Sequence, residues 1–100
     1  MYAFVQDVPI DEEMYKRITD RIGSEPLEGL VVHAVLVNAD GTLRYVDVWE
    51  SEEACARAFD ERIHPAVHAT FEETGFRPDG EPPRNEVAVV DVLLGAAVQR

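Results

Sequence analysis

Three residues able to bind or activate a small molecule alternate along one segment of the chain. Tyr45, Asp47 and Trp49 occupy every second position, and a β-strand places such residues on one face of its sheet. A phenol, a carboxylate and an indole in apolar surroundings would suit a planar aromatic ligand, because ligand pockets are mostly apolar with a few directing polar groups. The aspartate could then serve as a base. The structural alternative is that Trp49 is a large core residue and Asp47 binds a helix end.

The histidines and the cysteine are the other candidates for chemistry. His33 is predicted in mid-strand beside valines, on the opposite face, where a core or interface role is favoured over catalysis and would give an interface a pH dependence. His64 and His68 are four residues apart, which places them on one side of a helix. Pro65 disturbs that spacing and no third ligand is positioned, so no metal site is predicted. Cys55 lies on an apolar helix stripe, which favours packing over a nucleophilic role.

The elements that position these residues follow from periodicity and capping. Weak alternation over residues 2–7 predicts a first strand. Asp11 is a suitable cap for a helix that Gly23 ends. The apolar stripe of this helix consists of Met14, Ile18 and Ile22.

A β-hairpin is the strongest local prediction. Two segments rich in β-branched residues, 29–37 and 42–50, flank turn residues at 38–41 that end in Asp-Gly. With this turn, the first segment should supply the neighbours of Trp49 on its face. These neighbours are expected to be Val32, Ala34 and Leu36.

A second helix is predicted after the cap Ser51, interrupted near Pro65 and continuing to Thr74, where Gly75 ends it. The apolar run 87–94 predicts the fourth strand. The order β-α-β-β-α-β is the ferredoxin-like arrangement, an α+β fold with two helices on one face of a four-stranded antiparallel sheet. We expect a single domain spanning residues 1–100.

The strands predict that the second face of the sheet is covered as well. A sheet with one face in water should alternate apolar and polar residues, whereas these strands are apolar at nearly every position. Val31, Val35 and Val37 are expected on the uncovered face, and an exposed apolar patch of this kind usually marks an interface. The favoured partner is a second copy of the chain, packed sheet to sheet. A membrane or another protein is the alternative.

Composition excludes several classes of function. The formal net charge is -11, which disfavours binding to nucleic acids and to anionic membranes. No apolar run approaches the roughly 20 residues needed to span a bilayer, and the N-terminus does not resemble a signal peptide. The single cysteine excludes an internal disulfide and favours a reducing cytoplasm.

One segment resembles a known family. Residues 47–53, Asp-Val-Trp-Glu-Ser-Glu-Glu, with Gly29-Leu30 before them and Phe59 after, resemble the antibiotic-biosynthesis-monooxygenase-like family of dimeric α+β barrels. The resemblance implies a ferredoxin-like homodimer whose sheets form a barrel, with a pocket between sheet and helices. It does not imply one reaction, because such proteins include cofactor-free oxygenases, haem-degrading enzymes, isomerases and members without known activity.

Haem chemistry is not favoured within this resemblance. His68 falls near the helical histidine ligand of haem-degrading relatives, but Ala58 and Phe59 stand where those enzymes carry a second tryptophan. Gln6 is the nearest residue to their first-strand asparagine.

Two functions remain open. In the first, a small aromatic or polyketide-like substrate reacts with dioxygen without a cofactor, assisted by Tyr45, Asp47, Trp49 and His68. The absence of a glycine-rich phosphate loop and of nucleotide motifs leaves the substrate to supply the electrons. In the second, the chain is a non-catalytic dimer that binds a hydrophobic molecule or a partner protein, and side chains fill its interior.

Overall fold

The structure is a computed structural model that describes residues 1–98, two fewer than the predicted domain. Its helices and strands follow the predicted order. They are β1 (Tyr2–Val8), α1 (Glu12–Ile22), β2 (Leu30–Val37), β3 (Leu43–Trp49), α2 (Glu52–Ala58), a π-helical turn (Phe59–Ile63), α3 (His64–Thr74), β4 (Asn85–Val87) and a 3₁₀ turn (Ala96–Val98).

The sheet has the order β2-β3-β1-β4 with antiparallel neighbours, which confirms the ferredoxin-like α+β fold. Two groups of buried residues lie between the sheet and the helices. One surrounds Trp49 and Phe59, and the other surrounds Ile18 and Leu43. No helix within residues 1–98 has the length and apolar character to cross a membrane.

The helix starts form where the capping residues predict them. The Asp11 carboxylate accepts a hydrogen bond from the Met14 amide at 2.9 Å, and the Ser51 hydroxyl accepts one from the Ala54 amide at 3.0 Å. Gly23 follows α1 with φ 89°, and Gly75 follows α3 with φ 76°. Local chemistry therefore determines where these helices begin and end.

Pro65 perturbs the second helix as predicted, but it does not break it. The helix passes through the π-helical turn at Phe59–Ile63 and resumes at His64, with Pro65 in the first turn of α3. A proline has no amide hydrogen to donate and crowds the preceding turn, and a π-turn widens the helix at that point. His64 and His68 consequently stay on one side, with ring centroids 5.9 Å apart.

The hairpin register differs from the predicted one by one residue. The turn was expected to occupy four positions, but Asn38 and Thr42 are hydrogen-bonded to each other and the connection has five. A one-residue slip moves every side chain of a strand to the other face. His33 therefore pairs with Asp47, and Val35 pairs with Tyr45. The predictions that His33 lies on the opposite face and that Val35 faces a second subunit are wrong.

The outer face is nevertheless apolar, with different members. Val32 pairs with Val48, and Ala34 with Val46, while Val5 lies next to Val46 on the other side. All five are only half-buried. The prediction of a second apolar face is thus confirmed, although Val32 and Ala34 had been expected beneath the helices.

The predicted fourth strand over 87–94 is wrong in its extent. β4 is limited to Asn85–Val87, and residues 88–95 form no regular structure. Val87 pairs with Ala3 near the start of β1, which begins at Tyr2, so continued antiparallel pairing on β1 would end at Ala88. Val90 is 99% exposed and Leu93 87%.

Gly29 joins the start of β2 to the start of α2. Its carbonyl oxygen accepts a hydrogen bond from the Glu50 amide at 2.8 Å. A Cβ added at Gly29 would lie 2.5 Å from the Ala54 Cβ, and φ is +85°. Only glycine allows this close approach without strain.

Candidate functional site

A cavity of about 610 Å³ lies between the helix-facing side of the sheet and the helices. Its walls include apolar residues of both buried groups. The four residues singled out in the sequence, Tyr45, Asp47, Trp49 and His68, all border it. Its volume is within the range of small-molecule pockets.

A chain of hydrogen bonds runs along the sheet side of this cavity. The Tyr15 hydroxyl lies 2.9 Å from His33 Nε2, and His33 Nδ1 lies 2.5 Å from Asp47 Oδ1. The Trp49 indole N–H donates to Asp47 Oδ2 at 3.1 Å. Both carboxylate oxygens of Asp47 therefore have hydrogen-bond partners within the protein. These partners replace water, because the residue is only 2% exposed. The predicted alternative, in which Asp47 binds a helix end, is wrong.

The donors in this chain fix the direction of its hydrogen bonds. Trp49 can only donate, and an ionised Asp47 can only accept. His33 therefore donates from Nδ1 to Asp47. With a neutral imidazole, Nε2 is left to accept the hydrogen of the Tyr15 hydroxyl. A carboxylate that orients an imidazole, which in turn polarises a hydroxyl, is an arrangement suited to proton transfer.

The two tyrosines of the cavity remain phenols at neutral pH. Desolvation raises the pKa of Tyr15, with a smaller contribution from the negative charge of Asp47. Burial likewise raises the pKa of Tyr45, assisted by Tyr15 and Asp47. The Tyr45 ring packs edge-on against His33, with centroids 5.0 Å apart, and so restrains the imidazole. Tyr15 is the phenol that is hydrogen-bonded to the histidine.

Helix α3 and the connector to β4 form another border of the cavity. The rings of His64 and His68 are stacked, and His64 Nε2 lies 3.2 Å from a carboxylate oxygen of Glu81. The Gln6 amide donates to the Pro82 carbonyl at 2.8 Å, which ties the connector to β1. Within residues 1–98, no group of three or more histidine, cysteine or acidic side chains could hold a metal ion.

Cys55 is fully buried beside Trp49 and does not border the cavity. Burial raises the pKa of its thiol to about 11, although the nearby Arg84 opposes the shift. The thiolate is the reactive form, so this cysteine is a poor nucleophile at neutral pH. Its position agrees with the predicted packing role.

Sequence reasoning missed two members of the hydrogen-bonded chain. His33 was placed on the wrong face because the turn was taken as the four residues 38–41. Thr42 also belongs to the turn, where its amide donates a hydrogen bond to the Asp40 side chain. A β-bulge between Leu30 and Val32 then keeps Leu30 on the cavity side as well. Tyr15 follows Met14 at the edge of the apolar stripe of α1, a position that predicts packing and gives no sign of the contact with His33.

Solved structures with the same architecture are known. A proposed antibiotic biosynthesis monooxygenase from Chloroflexus aurantiacus J-10-fl matches with a TM-score of 0.60 and 14% identity, covering 92% of this chain and 95% of that one. Rv0793 from Mycobacterium tuberculosis matches with 0.57 and 14%, covering 91% and 96%. A conserved protein from Methanosarcina mazei Go1 matches with 0.56 and 15%, covering 86% and 89%.

The chain has the fold of these proteins. The resemblance predicted from residues 47–53 is thus confirmed at the level of the fold, which is what similarity at this identity can establish. No protein-family model and no curated protein matches the chain in sequence.

Proposed function

We propose that the chain binds a small planar aromatic molecule in the cavity and activates it for reaction with dioxygen, without a cofactor. The observation that carries this proposal is the chain Tyr15–His33–Asp47 on the wall of an apolar cavity. An electron-rich carbanion or phenolate can react with dioxygen directly, so the protein has to supply a base and a water-poor site.

Tyr15 and His33 would act together as that base. A substrate proton passes to the Tyr15 oxygen while the Tyr15 hydrogen passes to His33 Nε2. The imidazolium that forms is stabilised by Asp47, which already holds Nδ1. Trp49 keeps the carboxylate in place through its second oxygen and offers an aromatic wall. His68 lies on the helical border, where it would contact the ligand from the other side.

The oxidation balances without any other reactant when the substrate has an activated methylene between aromatic rings. Removal of a proton gives a carbanion, which adds dioxygen to form a peroxide. The peroxide takes up a proton and loses water, leaving a carbonyl group. One dioxygen is consumed for each methylene, with one oxygen atom in the ketone and the other in water.

The proposal is tested with dithranol, an anthrone that has such a methylene, and with simple hydroquinones. Oxygen consumption and anthraquinone absorbance are recorded for the unaltered protein, for Tyr15→Phe and for His33→Asn. General acid–base groups typically contribute about 10²- to 10⁴-fold, so each variant should lose at least about 100-fold in kcat. Tyr2→Phe is the matched control because Tyr2 packs on Phe4 and does not border the cavity.

Two results would count against the proposal. Turnover within twofold of the unaltered protein in Tyr15→Phe would exclude the proton relay. Binding of these compounds without any oxygen consumption would leave the second candidate, a non-catalytic binding protein. A cavity of about 610 Å³ does not favour a non-catalytic protein whose interior is filled by side chains.

We also propose that the protein acts as a homodimer, with a second copy covering the outer face. The half-buried valines Val5, Val46 and Val48 would form the contact, and the exposed apolar residues after β4 would extend it. Val46→Asp should then produce a monomer in light scattering at micromolar concentration. Ala56→Asp adds the same charge on the exposed side of α2 and should leave the dimer intact. A monomeric unaltered protein would refute the proposal.

A further inference from the structure

The charged residues that border the cavity are all acidic. Among the described residues that line it, Asp47, Glu25 and Glu81 carry carboxylates, and none is a lysine or an arginine. The remaining polar groups are neutral or are histidines. Protonation of all three lining histidines, His33, His64 and His68, would offset the three carboxylates without making the cavity positive.

Two arginines that contact residues of the cavity wall are held outside the cavity. Arg62 donates to three backbone carbonyl oxygens, those of Ile22, Glu25 and Pro26, each at 3.0 Å. The Arg84 guanidinium lies over the rings of Phe4 and Phe59, 4.7 and 4.4 Å from their centroids, and one of its nitrogens lies 4.0 Å from a carboxylate oxygen of Glu81. Neither arginine borders the cavity, so neither is placed to neutralise an anionic ligand there.

From this distribution of charge we infer that the cavity selects uncharged aromatic compounds and rejects carboxylates and phosphates. The inference rests on the proposed ligand site and names the class of substrate that it accepts. Two unit charges about 8 Å apart at an effective dielectric constant of about 20 repel with an energy equivalent to about 30-fold in affinity. An anion would also lose its hydration on entering an apolar cavity. A substrate made as an aromatic carboxylic acid would therefore have to be decarboxylated or amidated first.

The test compares ligands of equal size that differ in charge. Binding of 2-naphthamide and of 2-naphthoate is measured by titration calorimetry at pH 8, where ordinary histidines are neutral. We expect the amide to bind at least about tenfold more tightly than the carboxylate. Asp47→Asn and the double variant Glu25→Gln, Glu81→Gln should each narrow this ratio. Glu53→Gln removes one negative charge away from the cavity, as Asp47→Asn does within it, and should not change the ratio.

The outcomes separate this inference from the proposed function. Equal affinity, or tighter binding of 2-naphthoate, would overturn the charge selectivity while supporting a ligand site in the cavity. A ratio that persists in both variants would also overturn it, because the selectivity would then have another origin. If neither compound binds, the ligand site itself is wrong, and the inference fails with it.

Discussion

Gly29→Ala should destabilise the fold more than an ordinary glycine substitution. The new methyl group would lie 2.5 Å from the Ala54 Cβ, well inside van der Waals contact, and φ at this position is +85°. A non-glycine residue at positive φ costs about 1–2 kcal/mol. Overpacking costs about 1–3 kcal/mol more. The free energy of unfolding should therefore fall by about 2–5 kcal/mol.

Gly41→Ala provides the matched control. Gly41 has nearly the same φ, +88°, but an added Cβ would meet no atom within 4 Å. Its substitution should cost only the backbone term, about 1–2 kcal/mol. The difference between the two variants isolates the contact between the start of β2 and α2.

Urea unfolding followed by far-ultraviolet circular dichroism measures both variants, with the midpoint compared at constant m-value. Ala54→Gly is then combined with Gly29→Ala, because it removes the opposing methyl group. The double-mutant cycle should give a coupling energy of about 1–3 kcal/mol. Equal destabilisation by Gly29→Ala and Gly41→Ala, with no coupling to Ala54, would refute the reasoning.

Three further predictions concern groups held by burial or by backbone contacts. Arg62→Lys should lower the free energy of unfolding by about 1–3 kcal/mol in urea denaturation, because a single ammonium cannot reach three carbonyl oxygens in the geometry of a guanidinium. An unchanged midpoint would contradict this. Cys55, with its thiol pKa raised to about 11, should react with Ellman's reagent at pH 8 only at the rate of unfolding, whereas the urea-unfolded chain reacts at once. Rapid labelling of the folded protein would exclude its burial. Burial raises the pKa of Tyr45 above its value in the unfolded chain. The protonated Tyr45 side chain therefore contributes its full stabilisation below about pH 10, and this contribution is lost as the pH rises further. Tyr45→Phe should therefore flatten the decline in thermal stability above pH 10, and an equally steep decline would contradict the assignment.

The features that the sequence predicts well are those determined by neighbours in the chain. Asp11 and Ser51 cap their helices because the capping bond reaches only three residues ahead. Tyr45, Asp47 and Trp49 border one cavity because alternate residues of a strand share a face. Neither inference depends on distant parts of the molecule.

The features that it predicts poorly depend on register and on partners. The four-residue turn expected at 38–41 has one residue more, and that single position decides whether His33 faces the cavity. The hydroxyl of Tyr15 meets His33, which is 18 residues further along the chain, through tertiary packing that no local pattern encodes. The apolar run 87–94 has the composition of a strand, but β1 spans Tyr2–Val8 and offers a partner only to the first residues of that run.

The π-helical turn at Phe59–Ile63 contains about one residue more than an α-helical turn. In an uninterrupted α-helix, one additional residue would rotate all the following side chains by about 100° about the helix axis. The wider turn takes up the additional residue, so Cys55 and Ala58 before it stay buried while His64 and His68 after it border the cavity. Loss of one residue from the turn would leave a regular α-helix with both halves in their present directions. The turn is therefore a position where this helix can change in length without changing the side chains that border the cavity.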